Sequence, residues 1–268
     1  MTTTRTATVR GDSRRTARGI GVGLALSLLA ATSACLKPPT EFGGTHKPSS
    51  HPVLFIGNSL TYTNNLPGVV AALAEQAGDT IDAWSLASSN AALIDHYHSG
   101  EAASAIKSYQ WEYVVLQQGP STVAINRDTL VLAAQLFDPL IRSVGARPAL
   151  FMVWPDNSRE AYFDDCRESY RLAAQAVGGV FMPAGEAWRA VWAKMPSLAL
   201  YGSDGFHPSQ LGTYVAALEI FERITGRDAR TLPPIAIRDN GSAIDLPEAT
   251  VRLIHEAVHE ANQQHPAR

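Results

Sequence analysis

Apolar positions along the chain follow two periods. Val53-Leu54-Phe55-Ile56 is an unbroken apolar run closed by Gly57-Asn58-Ser59, the pattern of a strand buried on both faces and ended by a sharp turn. Apolar residues at helical spacing follow from Leu66 to Ala74, with Asn64 or Asn65 placed to cap, Pro67 near the first turn and Gly78 as a stop. The same alternation continues down the chain. Strands are expected at 80–86, 113–121, 148–154 and 180–183. Helices are expected at about 127–144, from a capping box at Asn157-Ser158-Arg159-Glu160 to Gly178, at 186–194, at 211–224 and at about 247–263. This order predicts an α/β fold, a three-layer α/β/α sandwich with a central parallel sheet of about five strands.

Ser59 stands at the carboxyl end of the first strand, where open α/β sheets place their ligands. A serine needs a base to act as a nucleophile, and the base needs a partner to hold its tautomer. Tyr201-Gly202-Ser203-Asp204-Gly205-Phe206-His207-Pro208-Ser209 offers both, with an acid three residues before a histidine on a Gly/Pro-rich loop. Ser59, Asp204 and His207 are therefore the candidate catalytic residues.

A Gly-Asn-Ser-Leu turn after the first strand, with Asp-x-x-His-Pro-Ser before a late helix, resembles the SGNH/GDSL hydrolase superfamily of esterases and lipases over roughly residues 52–226. The resemblance implies Ser59 as nucleophile, His207 as general base and Asp204 as its orienting carboxylate. It also implies an oxyanion hole made by the backbone N–H of Ser59, a second N–H after the second strand, and an amide side chain after the third. The chain departs from the family pattern at the last two. Asn90 occupies the place of the usual glycine, and Asn tolerates left-handed backbone better than most residues. Gln118-Gly119 resembles the Gln-Gly step of sugar-acetyl esterases in the superfamily, which implies Gln118 as the amide donor. Gln117 is the second choice, because it should point to the opposite face. Trp188 and Trp192, four residues apart, are expected to pack in the core.

Composition narrows the setting. A net charge of −3 with 18% charged residues gives no basic surface for nucleic acid. Residues 1–35 read as an export signal: five arginines, an apolar stretch from Gly19 to Ala31, then Thr32-Ser33-Ala34 before Cys35. The small residues before Cys35 resemble a bacterial lipobox, which implies cleavage there and lipidation of Cys35. An ordinary signal cut elsewhere is the alternative, and the export route is open between two systems. Removing that segment takes five of 22 basic and one of 25 acidic residues, leaving a net charge of −7. Residues 36–51 read as a flexible tether and 52–268 as the hydrolase domain. Cys166 is expected to be a buried core residue rather than a reactive thiol.

Two clusters compete for attention. Asp95-His96-Tyr97-His98 lacks further ligands at defined spacing and is expected to be solvated. His255-Glu256-Ala257-Val258-His259 matches the zinc-peptidase pattern. Its flanking sequence fits that reading poorly, because the chain ends three residues past His265 with no room for a methionine turn. A terminal helix packing through Val251, Ile254, Val258 and Ala261 is the simpler account.

The expectation is thus an extracytoplasmic serine esterase. It would remove a short acyl group from an alcohol, acetyl on carbohydrate being one candidate, with no cofactor and no metal. A glycan- or envelope-binding lipoprotein on the same fold is the alternative, and zinc proteolysis is a remote third.

Overall fold

A computed structural model describes residues 50–267. Five strands, β1 (Ser50–Gly57), β2 (Thr80–Ala87), β3 (Tyr113–Leu116), β4 (Arg147–Phe151) and β5 (Val180–Met182), pair in parallel in the order β2-β1-β3-β4-β5. The continuous apolar runs lie at the centre, where both faces are covered. In β1 every residue from Val53 to Ile56 is at most 2% exposed, and β3 is buried throughout. β2 has a neighbour on one side only, and its residues are mostly half-exposed.

Nine α-helices accompany these strands among the described residues, six of them between strands and three after β5. They are α1 (Ser59–Tyr62), α2 (Leu66–Gln76), α3 (Leu93–Ser99), α4 (Glu101–Lys107), α5 (Ala124–Ser143), α6 (Phe163–Val177), α7 (Ala184–Lys194), α8 (Gln210–Thr225) and α9 (Glu248–Gln264). α2, α7, α8 and α9 pack among themselves as one layer, and α3 to α6 as the other. The result is the expected three-layer sandwich, and β1 and β3 flank the point where successive connections leave for opposite faces.

Local signals account for most boundaries. Asn65 caps α2 by accepting from Gly68 N–H, Ser209 caps α8 by accepting from Gly212 N–H, and α6 and α8 end on left-handed Gly178 and Gly226. β3 and β4 end at Leu116 and Phe151, short of the expected 121 and 154, and α3 and α4 form where no helix is expected. Two helix starts also differ. α5 starts at Ala124, three residues early, because Val123 already adopts the extended cap conformation. The segment 157–162 opens as a 3-10 turn capped by Asp156, whose carboxylate accepts from Ser158 N–H, so the true α-helix begins only at Phe163. Trp188 is fully buried and stacks on Trp154 at 3.6 Å, and Trp192 packs edge-on against it, as expected of core residues. Cys166 is also fully buried, and its burial pushes the thiol pKa up.

The export signal, Cys35 and the tether up to residue 49 lie outside the described residues. The last two tether positions, Ser50 and His51, belong to β1, and His51 Nδ1 sits 2.6 Å from Glu112.

The zinc-peptidase pattern is not a ligand pair. His255 is 2% exposed and its Nε2 lies 2.7 Å from the Tyr214 hydroxyl, whereas His259 Nδ1 lies 3.0 Å from Glu222 and 3.4 Å from Asp228. One turn of helix apart, the two rings serve different neighbours. Glu222, Asp228 and His259 do come within 4.8 Å of one another. Both oxygens of Asp228 already accept from Arg230, and Arg223 and Arg227 line the same cleft. That positive surround opposes a divalent cation.

Burial pushes the pKa of His255 down from 6.5 to about 4, with Arg252 adding repulsion. The unfolded imidazole then binds a proton that the folded one refuses, so stability falls as pH drops from about 6.5 towards 4. The contribution is on the order of 3 kcal/mol. His255→Gln, which preserves an acceptor for Tyr214, is expected to flatten this part of the stability profile in urea denaturation at pH 6.5 and 4.5. Equal losses in both proteins would refute the account.

Candidate active site

The turn that ends β1 is built by three neighbours. Asn58 caps α1 by accepting from Leu60 N–H at 3.1 Å, and its own side-chain amide donates to Ala91 O at 3.1 Å. Gln117 lies beneath: its Oε1 accepts from Asn58 N–H at 2.9 Å and from the Thr61 hydroxyl at 2.7 Å. His96 donates from Nε2 to Gly57 O at 2.7 Å. A Cβ on residue 57 would sit 2.4 Å from both Gln117 Oε1 and Thr61 Oγ1, so glycine is required here for close approach. Ser59 emerges at the start of α1, 7% exposed.

The histidine arrives on a loop clamped from below. Tyr201 bridges to Pro208, Gly202 N–H donates to His207 O at 2.7 Å, and Trp154 Nε1 donates to Phe206 O at 3.0 Å. Asp204 holds the imidazole: its Oδ1 accepts from the Phe206 and His207 N–H groups, each at 3.0 Å, and its Oδ2 lies 2.5 Å from His207 Nδ1. These bonds, first of all that from His207, lower the Asp204 pKa from 3.8 to about 2. An ionised carboxylate only accepts, so Nδ1 carries the proton and Nε2 presents its lone pair. Nε2 lies 2.8 Å from Ser59 Oγ. The structure thus brings Ser59, His207 and Asp204 into one hydrogen-bonded chain.

A cleft of about 300 Å³ opens at the serine. Asn58, Asn90, Gln118, Ser121, Asn126 and Phe206 are among its lining residues. Asn90 has a positive φ of 59°, a backbone region that Asn enters more readily than most residues. Gln118 lines the cleft and Gln117 faces away from it: both lie just past the end of β3, and Gln117 N–H still donates to Ile56 O, so the alternation of the strand carries on through them. Gln118 is already engaged: Oε1 accepts from Leu93 N–H at 3.2 Å, and Nε2 donates to Ser121 Oγ at 2.9 Å and to Asn126 O at 3.3 Å.

Two residues carry more than the sequence indicates. His96 is 5% exposed, not solvated, because its ring closes over the Gly57 carbonyl. Asn64, at φ 55°, donates to Pro208 O at 3.0 Å and Thr213 Oγ1 at 2.9 Å, tying the serine side of the site to the histidine loop. A polar Asn-Asn pair between two apolar helices was its only signal, and that signal reads equally as a cap.

No protein-family model matches the chain, and no curated protein matches it. Solved structures do match. A protein from Slackia heliotrinireducens assigned to the SGNH hydrolases is 24% identical, with a TM-score of 0.55, covering 65% of this chain and 99% of its own. A DUF4886 family protein from Bacteroides uniformis is 17% identical at a TM-score of 0.69, covering 82% and 97%. A variant of a Geobacillus acetyl-xylooligosaccharide esterase is 16% identical at 0.50, covering 67% and 97%. The chain has the SGNH hydrolase fold.

Gly57→Ala is expected to destabilise the protein by about 1–3 kcal/mol through overpacking, because the first atoms met are a buried amide and a hydroxyl already bonded to each other. Urea denaturation measures this. Unchanged stability would mean that the turn is looser than these distances imply.

Proposed function

We propose that the protein is a serine esterase that removes short acyl groups, acetyl on carbohydrate first among them, outside the cytoplasmic membrane. The observation that carries this reading is the chain from Ser59 Oγ to His207 Nε2 and from His207 Nδ1 to Asp204, at 2.8 and 2.5 Å, beside a cleft. In the mechanism His207 takes the Ser59 proton as Oγ attacks the ester carbonyl, and Asp204 stabilises the imidazolium. His207 then protonates the leaving alcohol, activates water against the acyl-enzyme, and returns the proton to Ser59. No metal or cofactor is required by these steps.

The oxyanion is assigned to the N–H groups of Ser59 and Asn90 and to the Gln118 side chain. Gln118 reaches it by exchanging its weaker bond, the 3.3 Å contact with Asn126 O, for one to the developing charge. Such an exchange favours the transition state over the ground state, in which the carbonyl is a poorer acceptor.

Export and a lipid anchor on Cys35 complete the reading. The basis for both is the signal-like residues 1–35. The named activity of the Geobacillus neighbour supports acetylated xylo-oligosaccharides as the first substrates to screen.

The test is p-nitrophenyl acetate hydrolysis by the purified protein in EDTA. The parent is expected to be active and Ser59→Ala inactive. Gln118→Ala is expected to lose on the order of 100- to 1000-fold in turnover. Equal rates in parent and Ser59→Ala, or none in either, would reject the esterase and favour the glycan-binding alternative, which a glycan-binding screen then examines. For localisation, Cys35→Ala is expected to move the protein from the membrane fraction to the soluble one, and an unchanged membrane-bound share would reject the anchor.

A further inference from the structure

Gln117 was the second choice for the oxyanion hole, and the structure gives it a different place. Its side chain is 1% exposed, lies under the Asn58-Ser59 turn, and uses every hydrogen-bonding position it has. Oε1 accepts from Asn58 N–H and Thr61 Oγ1, while Nε2 donates to Asn58 Oδ1 at 3.0 Å and to Gln118 O at 2.5 Å. Asn58 extends the connection by donating to Ala91 O, next to Asn90. One buried amide pair therefore joins the three segments that carry Ser59, Asn90 and Gln118.

These segments lie far apart in sequence, and the parallel sheet fixes only the strands from which they leave. Beyond the strand ends, the bonds from Leu93 N–H to Gln118 Oε1 and from His96 and Ser88 to Gly57 O join these segments two at a time, whereas Gln117 with Asn58 joins all three. We propose that Gln117 is a positioning residue that sets the geometry of the oxyanion hole and the presentation of Ser59, without itself touching substrate. This rests on the esterase reading. The pattern also says why an amide stands there. Two of its neighbours need an acceptor and two need a donor, and among side chains of this length only glutamine supplies two donors together with an acceptor at one planar end.

That balance yields a test that a merely space-filling residue would not answer. Gln117→Glu keeps the shape. Its neutral acid form restores one of the two donors, whereas its carboxylate faces two acceptors with none. Burial favours the neutral form, so the introduced group titrates above the usual carboxylate range. The ratio of variant to parent kcat is expected to fall as pH rises through that titration, and dividing by the parent cancels any pH dependence common to both. Gln117→Leu, which has neither donor nor acceptor, is expected to lose on the order of 100-fold in kcat at every pH, the usual cost of misplacing reacting groups by about 1 Å. KM is expected to stay within about twofold in both, because the cleft wall itself is untouched.

The experiment measures kcat and KM for p-nitrophenyl acetate from pH 5 to 9 with parent, Gln117→Glu and Gln117→Leu. Alongside it, the rate at which a fluorophosphonate labels Ser59 reports nucleophile presentation without turnover. Both variants should label more slowly than the parent, Gln117→Glu most slowly at high pH. Near-UV circular dichroism reports whether Gln117→Leu is folded; if it is not, the Gln117→Glu ratio alone decides. A flat ratio near one, or a loss confined to KM, would overturn the assignment while an active parent kept the esterase reading intact. A parent that neither turns over nor labels would remove both together.

Discussion

The site depends on one constraint above others, the parallel register of β1 against β3. Ile56 pairs with Leu116, and Gln117 N–H donates to Ile56 O at 2.9 Å, so the two strands end side by side. Side chains alternate across a strand, and a slip of one residue would exchange the faces of the two glutamines. Depending on its direction, the slip would bring either Gln118 beneath the serine turn or Gln117 to the cleft, and in neither case would both amides be in place. The register is held by apolar residues that are buried on both faces, Val53 to Ile56 against Tyr113 to Leu116. Hydrophobic burial in the middle of the sheet thus decides which amide meets a ligand.

The histidine side is organised by different physics. Its loop contains little regular structure, and its shape comes from specific bonds to a rigid aromatic base. Trp154 stacks on Trp188, whose own Nε1 donates to Gly212 O at 2.9 Å in the first turn of α8. The same Trp154 donates to Phe206 O, one residue before His207. Burying two indoles satisfies their N–H groups only if they find acceptors, and both acceptors lie on the segment that presents the base. Packing and positioning are therefore one requirement here. Asn64 then closes the distance between the halves by holding Pro208 from the serine side.

How much of this could be read beforehand follows from the range of each interaction. The strands, most helix ends and the Ser59, Asp204 and His207 set were legible, because strand periodicity, caps and an Asp-x-x-His spacing are local features. The face of each glutamine followed from alternation alone. His96 and Asn64 were misread or passed over, because their partners lie 39 and 144 residues away and nothing local distinguishes them from surface polar residues. The opening of 157–162 was placed one residue late for a subtler reason. Asp156 and Asn157 are both good caps, and the choice between them went to the tertiary bond from Asn157 N–H to Gly205 O at 2.8 Å. That bond leaves Asn157 serving the histidine loop and gives the cap to Asp156.

The proposed triad also spans a gradient of exposure that bears on how it holds charge. Ser59 is buried, yet the Asp204 side chain is 51% exposed. A carboxylate this open to water gains little from a low dielectric, so Coulomb attraction across the pair is screened. What keeps Asp204 ionised and oriented is local geometry: three donors, the His207 ring and two successive backbone N–H groups, converge on its two oxygens. Hydrogen bonds to the charged form lower a pKa without burial. Asp204 is therefore held ionised, as an acceptor for the His207 Nδ1–H.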